Sequence, residues 1–456
     1  MERLYQYLSY FLATHPGARR LIIGYSGGLD SHVLLHGLAT RRHLWTGQSL
    51  EAIYIDHGLQ AASAAWGEHC AHICHDLNVP YRVLQVDARS TSGESPEAAA
   101  RHARYAAFAA ELAPDSVLLT AHHCDDQAET LLLQLLRGAG PHGLAAMPAA
   151  TQLGQGWLLR PFLDIDHAEL LAYACTHNLH WIEDTSNTDI SFDRNYLRHQ
   201  VLPRLRERWP AANRALARSA RLCAETAAWL DAEAAADLAR AAADRPDCLA
   251  ISALHELGEV RQRNLLRYWL RQCGLPIPNA QHLQHILSDA LAAAVDRNPC
   301  IRWPGAEIRR YRDRLYAMQP LKPHNASQRF TWQAGNQGWP PLDVPGVGYL
   351  ELRKTEGKGL RSEALTGGLL IVGFRQGGER FRPVGRAHSQ ALKKLLQQAG
   401  IPPWERERLP LIYLPSTPTL SGELGESGPL LAVVGLGTAA DAAVGPGEAG
   451  WYPIKV

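Results

Sequence analysis

The hexapeptide Ser26-Gly27-Gly28-Leu29-Asp30-Ser31 follows the apolar run at residues 21–25 and precedes a helical pattern at residues 32–38. Its two glycines permit a tight turn, and its hydroxyls together with the free amides of a helix N-terminus form a cradle for phosphate. A carboxylate would repel a bare phosphate, so Asp30 favours a Mg²⁺ ion that bridges carboxylate and phosphates. The alternative is a purely structural role, as an ordinary glycine-rich turn with a capping aspartate.

Around this turn, short apolar runs alternate with helical patterns from residue 21 to about residue 210, which is typical of βα units on a parallel sheet. Strands are expected at residues 21–25, 52–55, 82–86 and 117–120, with helices near residues 63–77 and 97–112. Ligands of such sheets bind beyond the carboxyl ends of the strands. The loops after Tyr25, Ile55 and Thr120 are therefore the places where a site is expected.

The rest of the chain changes character twice. An Ala-rich run after residue 210 predicts a helical module, and Gly, Pro and aromatic residues after residue 320 predict a β-rich part. We therefore expect an α/β fold with an N-terminal doubly wound parallel sheet, a helical module and a small β-rich C-terminal domain. The corresponding domains are 1–210, 211–320 and 321–456.

Composition excludes several classes of protein. The 456 residues carry a net charge of +1, so any surface for a polyanion must be local. No window approaches the roughly 18 apolar residues of a membrane span, and the N-terminus lacks a basic signal-peptide region, so a soluble cytoplasmic protein is expected.

Lysine and cysteine usage excludes further kinds of site. All six lysines lie at or beyond Lys322, which excludes a P-loop lysine and a lysyl-adenylate nucleophile in the α/β part. The eight cysteines form no C-x-x-C pair, so a zinc ribbon or a disulfide framework is not expected.

Three carboxylates gather where the fourth expected strand ends, in the segment at residues 121–130. Asp125, Asp126 and Glu129 form an acidic pocket that suits Mg²⁺ or an ammonium group, although acids in a first helical turn also stabilise the helix dipole. His122 and His123 either donate to phosphate or pack as imidazole rings, and His122 is the one that we expect to point inward. Glu183, Asp184 and Asn187 have the local pattern of a turn and helix cap.

These segments together resemble one family. The hexapeptide is similar to the pyrophosphate-loop (PP-loop) motif of the N-type ATP pyrophosphatases, and residues 55–59, 121–130 and 183–203 narrow the resemblance to the tRNA(Ile)-lysidine synthases. The resemblance implies a PP-loop fold, ATP as co-substrate, Mg²⁺, and two further substrates, L-lysine and the isoleucine tRNA with a CAU anticodon. It implies no stable protein partner. The expected reaction joins lysine to C2 of the wobble cytidine after adenylation of the cytosine O2, giving lysidine, AMP and pyrophosphate.

The residues and the resemblance together give the expected roles. The catalytic residues are Asp30, Asp125, Asp126, Glu129, Asn187 and Arg194, with Asp30 as the metal ligand. The nucleotide-binding residues are Ser26, Gly27, Gly28, Leu29, Asp30, Ser31, Asp56, His57 and His122. The residues expected to bind the other substrates are Asp125, Glu129, Glu183, Asp184, Arg198, Arg380, Arg382, Lys393 and Lys394.

The C-terminal part carries the local positive charge that the whole-chain charge conceals. Eight basic residues face three acidic ones between Phe374 and Arg408. Such a patch suits contact with a phosphate backbone, and Trp404 and Phe381 are available either for stacking on bases or for packing in a core.

Two alternative functions remain. A PP-loop tRNA thiolase would activate the same kind of base but deliver sulfur, and thiolases need paired cysteines or an iron–sulfur cluster. A non-catalytic RNA-binding protein with a vestigial nucleotide fold is the other alternative, against which the intact Asp30 and acidic pocket argue.

Overall fold

The chain folds into two compact units, Met1–Glu233 and Ala234–Val456. The computed structural model describes residues 1–58, 63–87, 96–294, 297–335, 338–416 and 427–456. No helix in these ranges has the length and apolar character needed to cross a membrane. The expected division into three domains at residues 210 and 320 stays a prediction.

The first unit is an α/β structure. Its strands are β1 (Arg20–Gly24), β2 (Ser49–Asp56), β3 (Tyr81–Gln85), β4 (Ser116–Leu119), β5 (Ala150–Leu153) and β6 (Gly156–Leu159). Its helices are α1 (Glu2–Thr14), α2 (Leu29–Thr40), α3 (Ser63–Asp76), α4 (Pro96–Glu111), α5 (Cys124–Leu136), α6 (Pro141–Leu144), α7 (His167–Thr176), α8 (Asp193–Tyr196), α9 (Leu202–Arg208) and α10 (Ala212–Ala241), the last of which continues into the second unit. Arg42–Leu44 and Thr185–Thr188 form 3₁₀ turns, and Leu197–Val201 forms a π-helical turn.

The six strands form one sheet in the order β3-β2-β1-β4-β6-β5, parallel except for β5. The predicted doubly wound sheet is confirmed, and the four predicted strands lie within a few residues of the observed ones. Successive residues of β1 face opposite sides: Leu21 and Ile23 belong to one buried apolar cluster and Ile22 to another. Burial on both faces explains why this strand is an uninterrupted apolar run. Strand order reverses between β1 and β4, so the crevice above their carboxyl ends is the expected ligand site.

The second unit combines helices with four small sheets. Its helices after α10 are α11 (Ile251–His255), α12 (Glu259–Gln272), α13 (Ala280–His285), α14 (Leu392–Gln398) and α15 (Pro403–Arg406), with a π-helical turn at Ile286–Leu291 and a 3₁₀ turn at Ser362–Leu365. Its strands are β7 (Cys248–Ala250), β8 (Cys300–Trp303), β9 (Ala306–Tyr311), β10 (Arg314–Met318), β11 (Phe330–Gln333), β12 (Leu342–Val344), β13 (Gly348–Glu356), β14 (Leu369–Gly373), β15 (Arg380–Phe381), β16 (Gln390–Ala391), β17 (Leu411–Pro415), β18 (Ser427–Val433), β19 (Gly437–Thr438) and β20 (Ala449–Lys455). The β-rich C-terminal part is as predicted.

The middle of the chain is helical as predicted, but it also holds an antiparallel sheet, β7-β10-β9-β8, that the sequence analysis does not anticipate. The charge-rich sequence of β8 and β9 hides these strands. Glu307 on β9 has no solvent exposure and is paired with Arg302 at 2.6 Å and Arg309 at 2.8 Å. Mutual neutralisation of these side chains permits a charged strand to be buried.

Candidate active site

Residues 26–31, hereafter the glycine loop, leave β1 at the switch point of the sheet and enter α2. The Ser26 and Ser31 hydroxyls lie 3.1 Å apart, and Ser31 Oγ donates to the Gly28 carbonyl at 3.0 Å. Helix α2 begins at Leu29 with Asp30 in its first turn. The loop thus presents hydroxyls and helix N-terminal amides at the carboxyl end of β1, as the phosphate prediction requires.

Gly27 occupies a position that strongly favours glycine. Its φ is +79°, and a Cβ placed there would lie 2.9 Å from Cys70 Sγ on α3 and 2.9 Å from Ile182 Cδ1. The Ile182 amide also donates to the Gly27 carbonyl at 2.9 Å. Residue 182 immediately precedes Glu183 and Asp184, so this backbone hydrogen bond brings the segment with the predicted catalytic loop against the glycine loop.

Asp30 faces two histidines, neither of which is among the predicted site residues. His123 Nε2 lies 3.6 Å from Asp30 Oδ2, and His167 Nε2 lies 3.7 Å from Asp30 Oδ1. Their two rings are 5.2 Å apart. His167 is the first residue of α7, more than 130 residues from Asp30 in sequence, so no local motif marks it. His123 is adjacent to the predicted His122 in the same motif, and this position in the motif could have identified it as a site residue.

His123 also connects Asp30 to the acidic cluster. Its Nδ1 accepts the Asp125 amide at 3.2 Å, and its Nε2 lies 3.4 Å from Asp126 Oδ2. Burial lowers the pKa of His123, but Asp126, Asp30 and Asp125 outweigh burial and raise it to about 9. The carboxylates thus favour the imidazolium, whereas the amide contact favours an unprotonated Nδ1. Nε2 carries a proton in both forms, because a neutral ring whose Nδ1 is an acceptor is protonated at Nε2.

Asp126 and Glu129 are tied to two arginines. Arg194 donates to Glu129 Oε2 at 2.7 Å and to Asp126 Oδ1 at 2.9 Å, and Arg198 donates to Glu129 Oε1 at 2.6 Å. Glu129 has no solvent exposure. Burial raises the pKa of Asp126, but His123 and Arg194 outweigh it and hold the carboxyl well below its usual range. The two carboxylates together hold Arg194 and Arg198 at the edge of the site.

Asp125 differs from its neighbours in exposure and in partners. Its side chain is about one-fifth exposed, and its nearest arginine contact is Arg206 at 3.5 Å. Of the three acids, Asp125 is consequently the one best placed to meet a cationic substrate group.

The other predicted nucleotide residues lie at neighbouring strand ends. Asp56, at the end of β2, accepts the Gly58 amide at 2.9 Å. Burial and the Arg104 charge lower the pKa of His57. His122 hydrogen-bonds Thr120 Oγ1 at 2.9 Å, and burial lowers its pKa to about 3, so it is a neutral ring. Of the two adjacent histidines, His123 is the one that faces Asp30, and contact of His122 with nucleotide stays a prediction.

The predicted loop at residues 183–187 forms a turn. The Asn187 amide donates to the Asp184 carbonyl at 3.1 Å, and His199 Nε2 lies 2.7 Å from the Asn187 carbonyl. Glu183 and Asn187 are exposed. Roles for Glu183, Asp184 and Asn187 in binding or catalysis stay predictions.

The C-terminal cations occupy different environments in the second unit. Lys393 and Lys394 are exposed on α14. Arg380 donates to the Ser389 carbonyl at 2.7 Å, and Arg382 pairs with Asp441. These contacts leave the predicted role in tRNA binding untested.

The two aromatic residues of this region are packed. Trp404 is buried, with Tyr316 in edge-on contact at 5.4 Å and the Arg309 guanidinium 5.2 Å from its ring. Phe381 is buried against α14. Of the two possibilities considered for them, packing in a core is the one found.

A metal at Asp30 is compatible with the side chains present. Asp30 Oδ1 is buried and has no hydrogen-bond partner among the described residues. An unpartnered buried carboxylate oxygen is costly unless a cation or a donor arrives with the ligand. Asp30 therefore fits the predicted magnesium ligand.

Comparison with known proteins agrees with this geometry. Residues 2–205 match the family described as the PP-loop domain, residues 249–316 the TilS substrate binding domain, and residues 370–454 the TilS substrate C-terminal domain. The tRNA(Ile)-lysidine synthases of Coxiella burnetii and Methylococcus capsulatus are each 44% identical over 407 residues. These alignments cover 89% of this chain and 88% and 91% of the two relatives. At this identity and coverage, the chain belongs to the tRNA(Ile)-lysidine synthase family.

Proposed function

We propose that the chain joins L-lysine to C2 of the wobble cytidine in the isoleucine tRNA with a CAU anticodon, consuming ATP and releasing AMP and pyrophosphate. One observation carries the proposal at the level of the site: Asp30 on the glycine loop lies within 4 Å of His123, which also contacts Asp125 and Asp126. A phosphate cradle and an acidic pocket thereby share one crevice, as a reaction between a nucleotide and an amine requires.

In the first step, O2 of the cytosine attacks the α-phosphorus of ATP, and the bond from that phosphorus to the bridging oxygen of pyrophosphate breaks. The glycine loop holds the leaving pyrophosphate through Ser26, Ser31 and the first amides of α2. A Mg²⁺ ion on Asp30 would neutralise charge on the phosphates. Arg194 and Arg198, fixed by Glu129, keep positive charge at the rim of the site.

In the second step, the nitrogen of the lysine ε-amine forms a bond to C2 and passes a proton to solvent. The C2–O bond breaks, and AMP leaves with that oxygen. We assign Asp125 to bind the amine, because Asp126 and Glu129 already accept hydrogen bonds from the two arginines. Of the three acids in the predicted pocket, Asp125, Asp126 and Glu129, this proposal assigns only Asp125 to contact lysine.

The second unit supplies the RNA contacts in this proposal. Lys393 and Lys394 project from α14 into solvent, where lysines contact phosphates at little desolvation cost. Arg380 and Arg382 have local partners in the protein, so we give them a smaller share of the affinity.

The test supplies ATP, Mg²⁺, labelled lysine and an unmodified isoleucine tRNA transcript with a CAU anticodon, and measures label in RNA and pyrophosphate release. We expect one lysine per tRNA with the wild-type protein and none with Asp30→Asn. Asp76→Asn, at an exposed aspartate on α3, is the matched control and should retain wild-type activity. Wild-type protein that releases no pyrophosphate in the presence of this tRNA would contradict the proposal.

The thiolase alternative is not favoured. Cys124 is the cysteine in the acidic motif, and it is buried with a thiol pKa raised to about 12 by burial and Asp166. A thiol in that state is a poor sulfur carrier at neutral pH. Sulfur from a labelled persulfide donor should therefore not enter the tRNA.

A further inference from the structure

We propose that Asp30 and His167 form a mixed oxygen–nitrogen site for a first-row transition dication, such as Co²⁺ or Zn²⁺, that competes with Mg²⁺ at the phosphates of bound ATP. The proposal rests on the proposed function only in placing a nucleotide cation at Asp30. Beyond that function, it adds His167 as a second protein ligand and first-row transition dications as a second class of bound cation.

The separation of the two groups suits an ion better than a hydrogen bond. His167 Nε2 lies 3.7 Å from Asp30 Oδ1, which exceeds hydrogen-bonding distance. Metal–ligand distances to imidazole nitrogen and carboxylate oxygen are about 2.1 Å, so two ligand atoms 3.7 Å apart fit either side of one ion at a wide angle. Oδ1 is also the Asp30 oxygen that is buried without a hydrogen-bond partner among the described residues.

His167 is fixed and accessible. It is the first residue of α7, a helix of ten residues that begins after Asp166, so its backbone position is set by the helix. Its side chain is 44% exposed, which leaves room for an ion, its waters and the phosphates of a nucleotide.

His123 lies equally close to Asp30, but its tautomer excludes it as a ligand. A coordinating nitrogen must offer a lone pair, and His123 Nε2 is protonated whether the ring is neutral or charged, as described above. That nitrogen lies 3.6 Å from Asp30 Oδ2 and 3.4 Å from Asp126 Oδ2. His167 therefore supplies the nitrogen ligand.

The neighbouring group Cys124, Asp125 and Asp166 is a weaker candidate for the same ions. Asp166 is paired with Arg214, and the Cys124 thiol stays protonated at neutral pH because burial and Asp166 raise its pKa. A metal there would have to displace both the arginine and a proton.

The types of ligand atom at the site determine which cations bind more tightly. Mg²⁺ prefers oxygen ligands and gains little from an imidazole, whereas Co²⁺ and Zn²⁺ bind imidazole well. Two protein ligands are few, so tight binding requires phosphate oxygens in the remaining positions. Co²⁺ affinity should consequently rise when ATP is present.

The test titrates Co²⁺ into the full-length protein with ATP but without tRNA or lysine, and follows the visible d–d absorption of nitrogen-ligated cobalt. We expect His167→Ala to weaken ATP-dependent Co²⁺ binding at least tenfold, and to weaken Mg²⁺-dependent ATP binding, measured by calorimetry, by a much smaller factor. His75→Ala is the matched control for adventitious surface histidines, because its side chain is 88% exposed on α3. It should bind Co²⁺ as the wild type does.

Equal Co²⁺ affinity in His167→Ala and wild type would overturn the proposal, as would wild-type protein whose Co²⁺ affinity does not respond to ATP. Equal losses of Co²⁺- and Mg²⁺-dependent binding in His167→Ala would also overturn it, since they would indicate a general effect on ATP. These measurements use neither lysine nor tRNA. Their failure therefore leaves the ligation reaction standing, and failure of ligation does not alter them.

Discussion

Arg198 binds both carboxylate oxygens of Glu129, with Nε 2.6 Å from Oε1 and Nη2 2.9 Å from Oε2. Arg194 contacts the same carboxylate from a second position at 2.7 Å. Since Glu129 has no solvent exposure, its charge is tolerated only because these two guanidiniums surround it.

This dependence predicts an asymmetry between the partners. Glu129→Gln leaves Asp126 as the one remaining anion for two partly buried arginines and should lower the free energy of unfolding by up to about 3–5 kcal/mol. Arg198→Ala should cost less, because Arg194 still neutralises Glu129. Urea denaturation of both variants checks the order. A larger loss for Arg198→Ala would contradict this account of the pair.

The close packing around Gly27 predicts a steric effect of substitution there. Gly27→Ala and Gly138→Ala both place an alanine at positive φ, +79° and +71°, which costs about 1–2 kcal/mol in each case. Only at Gly27 does the new Cβ meet other atoms, at 2.9 Å, whereas the space around Gly138 is open. Gly27→Ala should therefore also weaken ATP binding at least tenfold in calorimetry, and Gly138→Ala should leave it within twofold. Similar ATP affinities in the two variants would refute the steric argument.

The assignment of lysine to Asp125 is tested by steady-state kinetics. Asp125→Asn removes the charge that binds the amine while keeping the shape, so the KM for lysine should rise about tenfold, equivalent to the loss of about 1.4 kcal/mol of binding. The KM for ATP should change much less. Glu207→Gln removes an exposed acid beside Arg206 and serves as the control. An unchanged lysine KM in Asp125→Asn would remove this residue from the lysine site.

Much of the fold could be predicted because it depends on local pattern. β1 is an apolar run buried on both faces, and the turn after it is marked by glycine, so both are visible in consecutive residues. The partners of Asp30 were not visible in the same way. His123 was passed over for its neighbour His122, and only the chain direction after β4 decides which ring faces the crevice. His167 lies near Asp30 because it is the first residue of α7, and no local motif marks that position.

Long-range charge pairing also escaped sequence reasoning. Arg194 and Arg198 were expected to face substrate, and the structure shows that their nearest partners are carboxylates about 65 residues away. That pairing has no signature in the spacing of residues. The sheet in the middle of the chain escaped for a different reason: Glu307 pairs with Arg302 and Arg309, only five and two residues away, so its strands carry charges where a buried strand is expected to be apolar.

Acid should destabilise the first unit through His32. This ring is 2% exposed and donates to the His180 carbonyl at 2.9 Å, and burial lowers its pKa from 6.5 to about 4. The unfolded chain therefore binds a proton as pH falls below 6.5 while the folded chain does not, so stability declines between pH 6.5 and 4. The decline attributable to His32 is on the order of 3 kcal/mol.

The measurement is the free energy of unfolding at several pH values. His32→Asn keeps a neutral donor and should flatten the dependence between pH 4 and 6.5. His72→Asn, at an exposed histidine, should leave the dependence as in the wild type. Equal slopes in the wild type and His32→Asn would show that other groups govern the acid transition.

Salt dependence tests the RNA surface. If Lys393 and Lys394 each contact one phosphate, replacing both by alanine should make the log–log salt dependence of tRNA affinity shallower by about 1.4–1.8. The protein should remain folded, because both side chains are exposed. Lys455→Ala is the control at an exposed lysine elsewhere in the second unit. Filter binding at several salt concentrations gives the slopes, and an unchanged slope would assign these lysines to solvent.

Cys70 and Ile182 border the space that a side chain at residue 27 would occupy, so three distant positions of the chain share one volume. Because residue 27 cannot grow, the space beneath the turn is divided between the other two side chains, and a gain at one must be matched by a loss at the other. Related proteins should accordingly vary at these two positions in a correlated way, with the summed size of the pair nearly constant. A small side chain at position 70 suits this arrangement.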